Sequence, residues 1–310
     1  MIEQPEISVV SPVYKAEGII TELVQEIDQA LSPLNIPYEI VLVDDSSPDN
    51  SWTVMKSLAL RRDNLKVFKL SRNFGQHPTI MAGLSKAEGR WTVVMDCDLQ
   101  DKPSEIPKLY EKAQEGFDSV LAKRSQRKDG FFKKIMSKWF YKCFAFFTNI
   151  EVDKEVANFG IYNQKVIKSI LSIGDALVFF PLFVKWVGFK QTSIEVEHSK
   201  RSEGKSSYSF FMLLKLAFNT IISFSDKPLR LFLNIGLITS FLSFIGAIRI
   251  LIKALNGEIE ILGYSSIFIS ICFFSGIIIS VLGVIGIYLG KTFNQSKSRP
   301  LYIIDDEPVE

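Results

Sequence analysis

A doubly wound α/β domain followed by a membrane anchor is the architecture this sequence predicts. Three observations predict it. Short β-branched runs alternate with helical periodicity through residues 1–205, the pattern of βαβ units on a largely parallel sheet. Several of those runs end in carboxylates, where the carboxyl edge of such a sheet would carry a site. Beyond residue 209 the composition turns strongly apolar, with stretches long enough to cross a bilayer.

The elements follow in order. "ISVVSPVY" is a β-branched strand closed by Pro12, and residues 18–31 carry apolar side chains at helical spacing. "YEIVLVDD" is a second strand that ends in Asp44 and Asp45. "SPDNSWTVMKSLAL" opens a helix with Ser, Pro and Asp in its cap region. "LKVFKL" is a third strand, and "HPTIMAGLSKAEG" is a helix closed by Gly89. "WTVVMDCD" is a fourth strand, "PSEIPKLYEKAQEG" a further helix and "DSVLAKR" a fifth strand.

The chain has 310 residues, 47% of them hydrophobic, and a formal net charge of +2. So small a net charge gives no reason to expect a nucleic-acid partner. Three cysteines, Cys97, Cys143 and Cys272, lie far apart, which fits a reducing compartment and excludes a disulfide scaffold. Two histidines are too few for a histidine-based metal centre. No basic segment and long apolar run open the chain, so no cleavable signal peptide is expected.

Leu231 to Ile248 is uncharged and just long enough to span, and Ile261 to Gly290 is uncharged throughout. Lys227 and Arg230 precede the first stretch, Lys291, Lys297 and Arg299 follow the second, and Glu258 and Glu260 lie between. The excess of cations at the outer ends places both in the cytoplasm. The expected division is a catalytic domain over 1–208, an interfacial amphipathic helix over 209–226, two membrane helices at 229–254 and 262–290 within 227–292, and a loosely ordered cytoplasmic tail over 293–310. Lys215 argues against a third span through the interfacial segment, because a charge near mid-span is costly in hydrocarbon.

In "VVMDCDLQDKP" the carboxylates of Asp96 and Asp98 are separated by one residue on a loop after a strand. Such a pair can reach one hard cation from the same side, with Gln100 near enough to add an oxygen, and Mg²⁺ takes one or two carboxylates together with substrate phosphate oxygens. Asp44, Asp96 and Asp98 all follow strand ends, so a topological crevice would gather them.

"SVVSPVYKAEG", "EIVLVDDSSPDNS", "RNFGQ", "MDCDLQDKP" and "RSEGKSSY", in this order, resemble the family-2, A-type (GT-A) glycosyltransferases. With two apolar spans behind such a domain, the chain is similar to the polyprenyl-phosphate glycosyltransferases, including dolichyl-phosphate mannose synthases and bacterial polyprenyl-phosphate glucosyl- and aminoarabinosyl-transferases. The resemblance reaches to about residue 292. It implies a Rossmann-like GT-A domain in the inner (plasma) membrane. It also implies a divalent metal (Mg²⁺ or Mn²⁺), a UDP-sugar donor, a polyprenyl phosphate acceptor and a homo-oligomer such as a tetramer.

By position, the resemblance implies that Pro12, Tyr14, Glu17 and Asp44 line the nucleoside site and that Asp45 supports its loop. Asp96 and Cys97 would lie beside the ribose and diphosphate, and Asp98, with Asp96 and Gln100, would hold the metal. Arg124 would act on substrate phosphate as a catalytic cation, Lys133 and Ser137 would hold the lipid phosphate, and Arg201 would close over the diphosphate. Outside the family's pattern, Arg127 follows the fifth strand beside the crevice and joins the lipid-phosphate candidates, and Lys205, the lysine nearest Ser207, is the further candidate for the diphosphate. Three departures stand out: Lys15-Ala16 replaces the usual Asn-Glu, Ser207 replaces a lysine, and Asn158 stands where relatives carry an acidic residue. A sugar hydroxyl acceptor needs a general base, whereas a phosphate monoester is already ionised near neutrality. The third departure therefore favours a phosphate acceptor. A polysaccharide-type transferase acting on a hydroxyl, and a non-catalytic nucleotide-sugar-binding subunit, are the alternatives.

Overall fold

The computed structural model describes residues 4–124, 156–175, 178–196, 227–256 and 263–306. They fall into two compact units: residues up to 196 together with 299–306, and residues 227–256 with 263–298.

In the first unit, β1 (Ile7–Val13), β2 (Tyr38–Asp44), β3 (Leu65–Leu70) and β4 (Trp91–Val94) are parallel neighbours in the order β4–β1–β2–β3. Every residue of β1 is buried, which is why its sequence runs apolar without alternation. Helix α1 (Ile20–Leu31) buries Ile20, Leu23, Val24, Ile27 and Leu31, one stripe at helical spacing, in the core. Helices α2 (Ser51–Ala59), α3 (Gln76–Lys86) and α4 (Ile106–Gln114) complete the alternation predicted from the sequence. Gly83 lets α3 approach the sheet, since a Cβ there would run into Val10 and Val43.

The second half of the sheet departs from simple alternation. β5 (Ser119–Arg124) pairs in parallel with β7 (Gln191–Val196), and β6 (Val156–Asn163) is inserted antiparallel between β4 and β5. Helix α5 (Gln164–Leu171) is capped by the Asn163 side chain, which accepts from the Lys165 amide, and α6 (Phe180–Trp186) follows. Because β6 runs backwards, its start lies at the same edge as the ends of β4, β5 and β7.

One strand is shorter than expected, and one expectation needs correction. β4 stops at Val94, before the end of "WTVVMDCD", where the Met95 amide donates to the Val10 carbonyl and the chain turns away; Asp96 and Asp98 lie on the loop after the strand, as expected. The tail, expected to be loose, returns to the first unit. Residues Ile304–Asp306 form β8, antiparallel to β3 on the sheet's outer edge. Backbone pairing to an exposed edge supplies the order that an acidic, sparsely apolar segment could not obtain by itself.

The amino edge of the sheet is sealed. Buried Glu39 accepts from the Ser8 hydroxyl at 2.5 Å and the Glu88 amide at 2.7 Å, and pairs with Lys66 at 2.8 Å. In the second unit, α7 (Lys227–Leu255) and α8 (Tyr264–Ser296) are continuous helices over the two predicted spans. Among the described residues, Phe273–Ser296 is the segment that qualifies as a membrane crossing by length and composition, and none of it is buried within the chain. The predicted interfacial helix over 209–226 lies outside the described residues.

Gly83→Ala is expected to destabilise the first unit by about 1–3 kcal/mol, because the methyl group must displace side chains in a close-packed core. Thermal unfolding of the purified protein reads the change.

Candidate active site

The carboxyl edge of the sheet gathers the ends of β1, β2 and β4, as parallel pairing requires: Val13 lies opposite Asp44, and Val10 opposite Val94. The turns leaving these three strands each contain a non-glycine residue in the left-handed region: Lys15 (φ 54°), Ser46 (φ 53°) and Leu99 (φ 55°). Such conformations cost energy and persist where surrounding contacts over-determine them. Those contacts are present. The Lys15 amide donates to Ser47 Oγ at 3.1 Å and the Ala16 amide to Ser51 Oγ at 3.0 Å. Glu17 accepts from the Asn50 amide at 2.9 Å, while its own amide donates to Asp49 at 3.3 Å. Glu17, expected against the nucleoside, thus locks the β1 and β2 loops together.

Asp44 is fully buried and receives the Ser47 amide at 3.1 and 3.3 Å. Burial holds its carboxyl above the usual range. Asp45 reaches the other way, accepting from the Phe74 amide at 2.7 Å and the Gly75 amide at 2.9 Å, and burial raises it as well. The loop after β3 is thereby tied to the end of β2. Gly75, at φ 93°, occupies a backbone region that favours glycine.

Asp96 carries the heaviest burden. Burial first, then the neighbouring carboxylates of Asp101 and Asp98, push its carboxyl up to about 6. Two amide side chains oppose this. Gln76 Nε2 donates to Asp96 Oδ1 at 2.7 Å, and Asn158 Nδ2 approaches the same oxygen at 3.5 Å. Asp98 Oδ1 accepts from the Gln100 amide at 3.2 Å across the left-handed Leu99. Cys97 receives the Tyr14 amide and its thiol is pushed up to about 12, chiefly by burial, which favours the neutral thiol. Tyr14 itself stands exposed, with Lys15 Nζ 5.4 Å from its ring. Pro12 is buried within β1, opposite Val43.

The edge therefore brings together Tyr14, Asp44, Asp45, Asp96, Cys97, Asp98 and Gln100 as expected. It adds Gln76 and Asn158, which sequence reasoning did not place on Asp96. Gln76 is the first residue of α3 directly after "RNFG", and Asn158 is delivered by the antiparallel strand. The main chain of Arg124 ends β5 at this edge. Arg127, Lys133, Ser137, Arg201 and Lys205 lie outside the described residues. Hard oxygen donors crowded until one carboxyl resists ionisation are chemically suited to a divalent cation, which would offset the repulsion. Among the described residues no three carboxylate, thiol or imidazole groups converge as a metal-ligand set.

His77, beside Gln76, is half-buried, with its ring packed edge-on against Phe179 at a centroid distance of 4.8 Å. Burial pushes its imidazole down to about 4, so it is neutral. Its contribution to stability is full above the ordinary value near 6.5 and is lost as pH falls from there toward 4. His77→Phe is expected to flatten the decline in melting temperature between pH 7 and pH 5, read by thermal unfolding at each pH.

Residues 8–171 match the family described as Glycosyl transferase family 2. Similar proteins of nearly equal length are known. The uncharacterised glycosyltransferase YkcC of Bacillus subtilis is 36% identical over 96% of this chain and 92% of its own. A prophage bactoprenol glucosyl transferase homolog of Escherichia coli is 35% identical over 96% of this chain and 98% of its own. An undecaprenyl-phosphate 4-deoxy-4-formamido-L-arabinose transferase of Shewanella sediminis is 34% identical over 97% of this chain and 92% of its own.

Proposed function

The chain belongs to glycosyl transferase family 2, and from that premise we propose that it moves a sugar from a nucleotide-linked donor to polyprenyl phosphate with inversion at the anomeric carbon. The observation that carries the choice of acceptor is the amide at position 158. Asn158 approaches Asp96 as a hydrogen-bond donor, and it stands where the resemblance implies an acidic residue, the candidate base for a hydroxyl acceptor. A lipid phosphate brings its own ionised oxygen. That oxygen attacks the anomeric carbon, the bond from this carbon to the diphosphate oxygen breaks, and a nucleoside diphosphate leaves. The polyprenyl-phosphate chemistry named for two of the relatives agrees with this choice.

The residues divide the work as follows. Asp44 is assigned to a base N–H, as the resemblance implies, with exposed Tyr14 beside it and Asp45 fixing the loop after β3. Asp96, Asp98 and Gln100 would hold Mg²⁺ or Mn²⁺, which supplies charge neutralisation at the departing diphosphate. Gln76 and Asn158 occupy one oxygen of Asp96, so the other is aimed by them. Arg124, Lys133 and Ser137 are assigned to the lipid phosphate and Arg201 to the diphosphate, as the resemblance implies; Arg127 and Lys205 join them by their nearness in sequence. UDP is the nucleotide we assign to the donor on the same ground.

Topology supports a membrane hairpin. The first unit holds described residues on both sides of the apolar segments, up to 196 and again from 299 to β8. A chain whose two flanks belong to one folded unit crosses a bilayer an even number of times. Two spans, 229–254 and 262–290, satisfy this, and a single crossing at α8 does not. The positive flanks place the catalytic domain and β8 in the cytoplasm.

Purified protein given Mn²⁺, undecaprenyl phosphate and a panel of UDP- and GDP-sugars is expected to form a lipid-phosphate sugar. Asp98→Ala is expected to lower kcat by about 100-fold or more, as loss of the group neutralising a leaving diphosphate does. Transfer only to sugar hydroxyls would contradict the acceptor assignment. An alkaline phosphatase domain inserted after Asn256 is expected to be active outside the cytoplasm, while a fluorescent protein at the C-terminus reports from inside. Phosphatase inactive at that site would contradict the hairpin.

A further inference from the structure

Strand β8 does more than occupy an edge. Its ladder with β3 pairs Lys69 with Asp306 and Leu70 with Ile304, with an irregularity between the two pairs. One step further, the Ser71 amide donates to the Ile303 carbonyl at 2.9 Å. Ser71 is the first residue of the loop that runs from β3 to α3. The Tyr302 hydroxyl donates to Ser85 Oγ on α3 at 2.9 Å, and Asp306 pairs with Lys56 on α2 at 2.9 Å. The segment thus touches the strand that begins the loop and the helix that ends it.

The far side of the same loop is held by the site. Phe74 and Gly75 donate to Asp45, and Gln76 donates to Asp96. Between these anchors the Arg72 guanidinium lies 4.0 Å from the Phe74 ring centroid. We propose that residues 299–306 are a positioning strap for the active site: by fixing Ser71, they hold the loop that presents Gln76 to Asp96.

The strength of the strap lies in backbone pairing and in Tyr302. The Lys56–Asp306 pair is about two-fifths exposed on both sides and contributes little. Without the strap, β3 becomes an open edge and Ser71 loses its acceptor. The loop then keeps its contacts at the site and the β2–β3 pairing up to Lys69, but its first residue is no longer held. A residue group that acts through Gln76 on Asp96 should alter donor binding more than the chemical step. This part rests on the proposed transferase reading, whereas the state of the loop itself does not.

The test uses full-length protein in nanodiscs, a variant ending at Ser298, and that variant with a peptide of sequence RPLYIIDD supplied in trans, since an exposed edge accepts an added strand. Amide hydrogen exchange over residues 70–76 and the donor KM are both measured. Truncation is expected to speed exchange there by about 10-fold or more and to raise the donor KM about 5- to 10-fold with kcat within about twofold. The peptide is expected to reverse both changes. Should truncation prevent folding, the full-length Tyr302→Phe/Asp306→Ala variant is expected to show the same changes in weaker form. Unaltered exchange at 70–76 would overturn the strap, and faster exchange with an unchanged donor KM would overturn its positioning role. If no variant, wild type included, turns over any nucleotide sugar, the transferase reading fails, while the exchange measurement still decides whether the strap holds the loop.

Discussion

The crowding of carboxylates at one edge of the sheet is the constraint on which the rest of the structure depends. Parallel pairing delivers the ends of β1, β2 and β4 to a common edge, and the chain ends two of them in acidic pairs. Burying negative charge without partners is costly. Each carboxylate here is therefore given N–H donors: Asp44 the Ser47 amide, Asp45 two amides of the β3 loop, and Asp96 the side-chain amides of Gln76 and Asn158. The compensation is incomplete at Asp96, whose carboxyl stays up at about 6. The edge is thus left short of positive charge, the basis on which a cation is proposed there.

The local strain has the same origin. Left-handed residues after three strands turn the chain sharply enough to aim side chains across the edge. The reciprocal contacts between Glu17, Asp49 and Asn50 hold the first two turns in register. The third is braced by Asp98 accepting from the Gln100 amide. Function and stability pull in opposite directions here, and the sealed amino edge around Glu39 and the continuous apolar strands supply the rigidity that the carboxyl edge gives up.

Much of this was legible in the residues. The alternation of β-branched runs with helical stripes marked β1 to β5 and their helices, and the carboxylates after the strands marked the site, because both signals are local. What escaped was non-local. β6 pairs antiparallel with β4 across more than sixty residues of chain (Val94 opposite Gly160), and no periodicity within "VANFGIYN" specifies that partner. Asn158 could be noticed as a departure from relatives, yet its contact with Asp96 follows only from the pairing. The hydrogen bond of Glu17 to the Asn50 amide likewise could not be read from the sequence, because it depends on the turn after β2. β8 was hidden for a similar reason: "IDD" has weak strand propensity, and its order comes from the edge it joins.

The central claim is that Asp96 and Asp98 hold a cation against the diphosphate of a nucleotide whose base lies by Asp44. Anomalous scattering from crystals grown with Mn²⁺ and UDP tests it most directly. The account requires one strong manganese peak within coordination distance of Asp98 and a diphosphate oxygen, with the uracil beside Asp44. A nucleotide bound with no metal at these carboxylates, or a metal and nucleotide bound at another edge of the sheet, would contradict it.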